Sequence, residues 1–130
     1  MKKIISNKNR AIIQKKNYSN WKQDSLDNNG FFVIFNGFLE KDYLRKISGG
    51  ALKLYVYLGI NSHNTTGESF YKLTSIANYF NVSERTISNW FKELLKLRLI
   101  ERYQLELNGV SHTYLNVYDA GERRMTKSKK

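Results

Sequence analysis

The apolar positions of residues 74–97 follow helical spacing in two neighbouring segments. In the first segment the apolar face consists of Ile76, Ala77 and Phe80. In the second segment the apolar positions recur at i, i+4, i+7 and i+8, which are Ile87, Phe91, Leu94 and Leu95. This spacing is typical of helices that bury one face. The pattern therefore predicts a short helix that ends near Phe80, followed by a longer helix over residues 83–97.

Polar residues at the ends of these two helices have capping chemistry. Thr74 and Ser83 are predicted N-caps, because a hydroxyl oxygen can accept a hydrogen bond from a free backbone N–H in the first turn. Asn81 lies in the connection, and asparagine adopts left-handed backbone angles more readily than most residues. The sequence therefore predicts a tight connection at Asn81-Val82.

Two β-rich runs, IERYQLEL and VSHTYLNVY, flank Asn108-Gly109. This pattern predicts a hairpin with a two-residue loop, because a type I′ turn needs positive φ at both central residues. The predicted opposed pairs are Leu107 and Val110, Leu105 and His112, Tyr103 and Tyr114, and Ile100 and Val117. Both faces of the hairpin are partly apolar, and the second face holds Ile100, Leu115 and Val117. We expect either residues 31–35 or a second subunit to cover this second face.

The segment before these elements contains further apolar patterns. Residues 31–35, FFVIF, predict a short strand. The next predicted helix, which Gly49-Gly50 would stop, has its apolar positions at Phe38, Tyr43, Leu44 and Ile47. A further helix with a broad apolar face, surrounded mostly by protein, is predicted from Leu52, Tyr55, Val56 and Leu58.

The composition narrows the classes of protein. Of the 130 residues, 41% are hydrophobic, which is enough to fill the core of one domain. The absence of cysteine excludes disulfides, thiolate zinc sites and a cysteine nucleophile. We find no signal-peptide pattern and no apolar run long enough for a membrane span, so we expect a soluble cytoplasmic protein without membrane contact. Because no phosphate-binding glycine loop and no metal-spaced cluster is present, we expect no enzyme activity, no cofactor and no metal.

The positive charge is concentrated at the two ends of the chain. Residues 1–22 carry seven basic residues and no acidic one, residues 119–130 have a net charge of +3, and residues 23–118 have only +1 of the total +11. Basic ends with little apolar content usually stay mobile and attract polyanions. We therefore divide the chain into a mobile basic arm (1–22), one domain (30–118) and a basic tail (119–130).

The order of helix, short helix, tight turn, long helix and hairpin is similar to that of a winged helix-turn-helix domain. Such domains occur in GntR-type and MarR-type regulators and in the N-terminal modules of plasmid replication initiators. The matching residues are LTSIANYFNVSERTISNWFKELLKLRLIERY, within residues 51–118. The resemblance implies an α+β fold with a three-helix core and a C-terminal β-hairpin wing. The predicted strand and helix segment before residue 51 and the basic tails are additions that lie outside the resemblance. Arg98 stands where glycine or asparagine usually ends the long helix in a left-handed conformation, so we expect a different helix end.

The resemblance also implies which residues bind DNA. The N-terminal part of the long helix would lie in the major groove, where Arg85 can bond bidentately to guanine and Asn89 to adenine. Glu84 would either accept a hydrogen bond from cytosine or stabilise the positive end of the helix dipole. The residues predicted to bind DNA from this helix are Ser83, Glu84, Arg85, Thr86, Ser88, Asn89, Lys92 and Lys96. Further contacts are predicted for Thr74, Arg102, Asn108, Ser111, His112, Lys15 and Lys16.

Three functions remain open at this point. The first is sequence-specific binding of double-stranded DNA by a homodimer, as a transcriptional regulator or as a plasmid or phage factor at a replication, partition or transfer origin. The second is a protein-interaction adaptor that uses the hairpin, which the nearly neutral residues 23–118 and the two-sided apolar hairpin favour. The third is binding of RNA or single strands through the basic tails.

Overall fold

The computed structural model describes residues 5–63, 66–69, 71–104 and 111–118. Its helices are α1 (Asn7–Asn28), α2 (Gly37–Glu40), α3 (Tyr43–Lys46), α4 (Gly49–Ile60), α5 (Leu73–Phe80) and α6 (Glu84–Lys96). Its strands are β1 (Glu68–Ser69), β2 (Ile100–Gln104) and β3 (Ser111–Leu115). The chain forms two compact units, residues 1–31 and 32–130. The predicted turn at Asn108-Gly109 and the basic tail 119–130 lie outside the described residues.

Helix α1 occupies most of the arm that was expected to be mobile. Ser6 caps the helix by accepting a hydrogen bond from the N–H of Asn9 at 3.2 Å, and Asn28 donates to Asp24, four residues earlier, at 2.7 Å. No glycine or proline interrupts residues 7–28. The cap and the local side-chain pairs favour a helix over these residues, which the sequence analysis did not predict. The division into arm, domain and tail stays a prediction.

Helices α4, α5 and α6 enclose the apolar core. Their buried residues include Ala51, Leu54, Tyr55, Leu58, Ile76, Ala77, Ile87, Phe91 and Leu94. They confirm most of the inward faces that the spacing predicted for the three helices, but the predicted Leu52, Val56 and Phe80 are only partly buried. Leu95 is an exception, because it is 37% exposed. It lies about 100° around the helix from Leu94, so the predicted stripe was one residue too wide.

The connection between α5 and α6 begins with a left-handed residue. Asn81 has φ of +57°, as predicted, and the N–H groups of Asn81 and Val82 bond back to carbonyls in the last turn of α5. Paired bonds of this kind are typical of the Schellman motif. Ser83 then caps α6 as predicted, because its hydroxyl oxygen accepts the N–H of Thr86 at 3.1 Å.

The predicted N-cap at Thr74 is wrong. Helix α5 begins at Leu73, and the capping position belongs to Lys72, whose side chain makes no cap. Thr74 therefore lies inside the first turn, and its hydroxyl donates to the carboxylate of Glu84 at 3.1 Å. The hydroxyl of Thr74 therefore bonds to Glu84 of α6, and not to a free backbone N–H of α5 as an N-cap would.

Helix α6 also ends at a left-handed residue. Arg98 has φ of +61°, and the N–H of Leu99 bonds to the carbonyl of Leu94 at 3.0 Å. The side-chain amide of Asn116 donates to the carbonyl of Arg98 at 3.0 Å. The expectation of a different helix end was wrong, because these bonds and the burial of Leu99 hold the arginine in a conformation that usually belongs to glycine.

The three strands form an antiparallel sheet in the order β1-β3-β2. The two-residue strand β1 was not predicted. In the hairpin Tyr103 pairs with His112. A two-residue loop at Asn108-Gly109 would place Tyr103 opposite Tyr114, so the predicted register was wrong by two residues. Because side chains alternate with a period of two, this shift keeps each side chain on its predicted face.

Helix α6 covers the inner face of the hairpin. Ile100 and Thr113 are buried on this face. The guanidinium carbon of Arg102 lies 4.1 Å from the ring centre of Phe91, which belongs to α6. The prediction that residues 31–35 would cover this face was wrong for Ile100, which α6 covers, whereas Val117 of the predicted face is 63% exposed. Its coverage by a second subunit stays a prediction.

Residues 31–35 form no strand, contrary to the prediction. Phe32 places its ring against the backbone of α4 at Gly59, where an added Cβ atom would overlap the ring. The hydroxyl of Tyr118 accepts the N–H of Phe35 at 2.8 Å and donates to the carbonyl of the same residue at 3.3 Å. Aromatic packing and one tyrosine therefore hold this segment, in place of a ladder of backbone bonds.

Two short helices, α2 and α3, replace the single helix predicted before α4. Asp42 between them has φ of +64°, which interrupts the helical backbone. Gly49-Gly50 begins α4 instead of stopping the preceding helix, because Ser48 caps the first turn at 3.2 Å. The indole of Trp90 lies against Gly50, where an added Cβ atom would overlap it. Glycine at this position thus permits the contact between α4 and α6, and Trp90 packs against the core.

The element order α4, β1, α5, α6, β2, β3 confirms the predicted α+β fold class. Its three-helix core followed by a hairpin is the winged helix-turn-helix arrangement. Of the predicted extra N-terminal strand and helix segment, the helical part is present as α2 and α3, and the strand is absent.

We expect the Arg98→Gly variant to be more stable than the wild type by about 0.5 to 1 kcal/mol, because glycine removes the cost of a left-handed arginine. The measurement is equilibrium unfolding in urea. As a matched control, Lys92→Gly places glycine at an exposed position inside α6 and should cost about 1 kcal/mol. Equal destabilisation by the two substitutions would contradict a strained arginine.

Candidate nucleic-acid interface

Helix α6 presents a polar face opposite its buried stripe. Burial of Ile87, Phe91 and Leu94 fixes the rotation of the helix about its axis. The opposite face carries four exposed side chains, those of Arg85, Asn89, Lys92 and Lys96. Within the described part of the chain, none of the four has a hydrogen bond or an ion pair. Their outward placement is as predicted, and their binding role stays a prediction.

The first turn of α6 holds two adjacent hydroxyl groups. The oxygens of Ser83 and Thr86 are 3.0 Å apart. Only one of the two hydroxyl hydrogens is used between them, so the pair keeps one donor for a phosphate oxygen. Ser88, which was predicted to contact DNA as well, is partly buried on the same helix.

Glu84 occupies the first position of α6. Its carboxylate accepts the hydroxyl hydrogen of Thr74 at 3.1 Å, and its negative charge lies at the positive end of the helix dipole. Both observations favour the structural role among the two roles predicted for Glu84. They also place Thr74 beside the start of α6, with its hydroxyl hydrogen already in use.

Glu93, which the sequence analysis did not select, joins α6 to the start of α4. Its carboxylate accepts the N–H of Ser48 at 2.6 Å and the hydroxyl of Ser48 at 2.7 Å. The carboxylate therefore satisfies a free N–H at the N-terminus of α4 and complements the dipole of that helix. The partners are 45 residues apart in sequence, so no local pattern could have indicated the pair.

Arg102 points toward the core side of the hairpin. Its guanidinium lies over the ring of Phe91, and its Nε donates to the hydroxyl of Thr113 at 3.2 Å. Burial lowers the pKa of Arg102 from its ordinary value. The predicted contact with DNA would therefore have to use the terminal guanidinium nitrogens, since Nε is occupied.

On the outer face of the sheet, the side chain of Glu68 in β1 bonds to two side chains of β3. The carboxylate of Glu68 accepts Nδ1–H of His112 at 2.5 Å and the hydroxyl of Tyr114 at 3.2 Å. The hydrogen bond from His112 lowers the pKa of the Glu68 carboxyl, although desolvation acts in the opposite direction. His112 is thus part of the sheet's own polar network, and its contact with DNA stays a prediction.

The remaining predicted site residues are dispersed. Ser111 is partly buried and begins β3, where it pairs with Gln104. Lys15 and Lys16 are exposed on α1, in the unit formed by residues 1–31. Asn108 lies outside the described residues.

Residues 45–100 match the family model of a helix-turn-helix domain. The matched segment contains α4, α5, the three-residue turn and α6. Over these residues, which make up less than half of the chain, the protein is similar to a helix-turn-helix domain. Comparisons with curated proteins and with solved structures found no match. The narrower resemblance to GntR-type and MarR-type regulators and plasmid replication initiators stays a prediction.

No helix in the described ranges is long and apolar enough to cross a membrane. The 22-residue helix α1 has sufficient length, but it contains five basic residues. Across the same described ranges, no group of three or more His, Cys, Asp or Glu side chains could hold a metal ion.

We expect the Glu68→Gln variant to be less stable than the wild type at neutral pH and equally stable at low pH. Because the folded-state pKa of Glu68 is lowered, its contribution is present above the pKa of an unfolded glutamate and is lost as the pH falls through the folded value. The measurement is urea unfolding of both proteins from about pH 7 to about pH 3.

A matched control is Glu40→Gln, which removes an exposed carboxylate elsewhere. Its stability difference from the wild type should change less with pH. A difference between wild type and Glu68→Gln that stays constant over the whole pH range would contradict the assigned role of the Glu68 carboxylate.

Proposed function

We propose that this protein binds duplex DNA sequence-specifically through α6, and that it is a binding protein and not an enzyme. The observation that supports the proposal is the outward face of α6, whose four polar side chains have no partner within the described part of the chain. In a helix-turn-helix domain the second helix of the pair enters the major groove, and α6 is that helix.

The four side chains have chemistry suited to two different tasks. Arg85 and Asn89 lie one turn apart in the N-terminal half of α6, the part that reaches base edges. Arginine can bond bidentately to guanine and asparagine to adenine. Lys92 and Lys96 lie farther along the helix and are suited to phosphates beside the groove. We therefore assign sequence preference to the first pair and sequence-independent affinity to the second.

The hydroxyl pair, the wing and the basic arm would add contacts to the DNA backbone. Ser83 and Thr86 keep one hydroxyl donor between them. Arg102 keeps its terminal guanidinium nitrogens, since only Nε donates to Thr113. Contacts of this kind position a protein on the duplex without reading its sequence.

We place this activity in the cytoplasm. The same reading helix would serve a transcriptional regulator or a plasmid or phage factor at a replication, partition or transfer origin. The DNA site that the protein selects would distinguish these roles. A regulator should select a sequence found beside a promoter, and a plasmid or phage factor should select one found at an origin.

We propose further that two copies pair through an exposed apolar surface on α4. Two adjacent grooves share Leu52 and Val56. The first groove is also lined by Tyr57, Ile60 and Tyr79, and the second by Ile34, Phe35, Leu39 and Leu44. We call this set of nine side chains the α4 surface.

The size of the α4 surface supports a second copy as the occupant. The most exposed side chains of this surface are Phe35 and Leu39 (66% each), Ile60 (65%) and Tyr79 (69%). Ile34 and Leu44 are 41% and 47% exposed. Large side chains at such exposure present on the order of 100 Å² each, so these six side chains together present about 600 Å². This area exceeds the largest patch of many monomers and approaches the roughly 800 Å² per partner of a stable interface. Two half-sites would then be read together.

A protein-interaction adaptor is the alternative function. Tyr103 is 52% exposed and lies 5.7 Å, between ring centres, from Tyr114 on the outer face of the sheet. An aromatic pair of this kind is a suitable contact for a protein partner.

Selection from a random duplex library at about 150 mM salt should recover a motif, because much of the nonspecific attraction is lost at that salt concentration. On the selected site Arg85→Ala should cost about 1 to 3 kcal/mol and relax the preference at one position. Lys92→Ala should weaken binding to selected and random duplexes equally, and it serves as the control. Recovery of no motif, or an equal loss on both duplexes for Arg85→Ala, would count against a base-reading helix and in favour of the adaptor.

Leu39→Glu and Ile60→Glu should each convert the dimer to a monomer, because a charge would be buried in the paired α4 surfaces. Sedimentation equilibrium at micromolar concentration is the measurement. Tyr103→Glu introduces the same charge at an exposed apolar side chain outside the α4 surface and should leave the dimer intact. A wild-type protein that is monomeric both free and on DNA would exclude this interface.

A further inference from the structure

Helix α1 is a long helix without a buried residue. It has 22 residues, and none of them is buried. A helix that buries no apolar face lacks the packing that supplies most helical stability in proteins. We therefore use the sequence of α1 to infer what kind of molecule could bind it.

The charges on α1 are of one sign over most of its length. Lys8, Arg10, Lys15, Lys16 and Lys22 precede the first acidic residue, Asp24. None of these five cations forms an ion pair within the described residues. Cations near the N-terminus of a helix also oppose its dipole, and the first turn of α1 has no acidic residue. Both effects disfavour the isolated helix, and an anionic partner would relieve both.

Three of the cations form a column along the helix. Lys8, Lys15 and Lys22 recur every seven residues. At 3.6 residues per turn and 1.5 Å per residue, they lie within an arc of about 40° and about 10 Å apart. The small residues Ala11 and Ser19 lie between them on the same side of the helix. A surface of this shape lets a partner with regularly spaced negative charges approach the helix closely.

The sequence of α1 does not fit a coiled coil. Ile5, Ile12 and Leu26 share one heptad position, together with Ser19. The position three residues later holds the three lysines of the column, and the position four residues later holds Asn9, Lys16 and Gln23. A coiled coil needs apolar residues at both seam positions, so a second copy of α1 is a poor partner.

A membrane surface is also a poor partner. Helices that lie on membranes gather their apolar side chains on one face. In α1 the directions of the large apolar side chains are spread around the whole circumference, at Ile12, Ile13, Tyr18, Trp21 and Leu26. Binding by charge alone to a polyanion with fixed spacing fits this helix better.

We propose that α1 is a second DNA-binding helix, in which Lys8, Lys15 and Lys22 bind phosphates along one strand of a duplex. The proposal rests on the proposed function, since it takes duplex DNA as the ligand of the protein. The phosphates of one strand follow one another at about 3.4 Å of rise, so a flexible lysine every 10 Å or so can find one within reach. Amide side chains of α1, such as Asn7 and Gln14, can donate further hydrogen bonds to the backbone.

The test compares two double variants of the full chain. Lys8→Gln with Lys15→Gln removes two charges from the column, and Arg10→Gln with Lys16→Gln removes two charges from other sides of the same helix. Glutamine has a helix propensity close to that of lysine and arginine, so both variants should keep α1, which circular dichroism would verify. Binding to a random-sequence duplex is measured by fluorescence anisotropy over a range of salt concentrations.

The column variant should reduce the slope of log affinity against log salt by about 1.8, because each lost phosphate contact contributes about 0.9. The off-column variant should reduce it by less than half as much. Equal reductions would overturn the column and leave only diffuse attraction. No reduction in either variant, or a larger effect on vesicles of phosphatidylserine and phosphatidylcholine than on duplex, would overturn α1 as a DNA-binding helix.

These outcomes are separable from a failure of the proposed function. If α1 makes no phosphate contact, the wild type should still enrich a motif and Arg85→Ala should still relax it. If α6 does not read sequence, the column variant should still show a reduced slope of log affinity against log salt on random-sequence duplex. A wild type that binds no duplex at all would overturn both proposals.

Discussion

The structure depends most on the buried stripe of α6. Ile87, Phe91 and Leu94 are almost completely removed from solvent, and each such side chain contributes about 1.5 to 3 kcal/mol through burial. A stripe of this kind permits only one rotation of the helix about its axis. The polar face opposite the stripe is therefore fixed by packing in the core, although none of its own side chains contributes to that packing. The candidate interface is a consequence of where the apolar residues must go.

The ends of α6 determine where that face lies in the domain. Asn81 before the helix and Arg98 after it both take left-handed backbone conformations, and each closes a set of capping bonds. Glu93 accepts two hydrogen bonds from Ser48, the N-cap of α4. The helix is thus held at its start, at its end and along its length. Because the backbone of α6 is already fixed in this way, binding would cost little backbone conformational entropy.

In the proposed function, the distribution of charge suggests that sequence preference and overall affinity come from different parts of the chain. Residues 23–118 carry a net charge of only +1, whereas residues 1–22 carry +7. Sequence preference would come from a few uncompensated side chains on a nearly neutral domain. Affinity would come largely from the basic arm, whose attraction to phosphates extends over about a Debye length. In such a protein the two properties could change independently.

The sequence by itself determined the elements with strong local signals. The periodic apolar faces of α4, α5 and α6, the left-handed Asn81 and the cap at Ser83 follow from side-chain chemistry within a few residues, and the α+β class follows from their order. Tertiary structure decided what depends on distant partners. Phe32 packs on Gly59 instead of joining a strand, Thr74 bonds to Glu84, and Glu93 bonds to Ser48. The hairpin register was decided by the pairing of whole strands and packing on α6, since a turn signal constrains only its nearest neighbours.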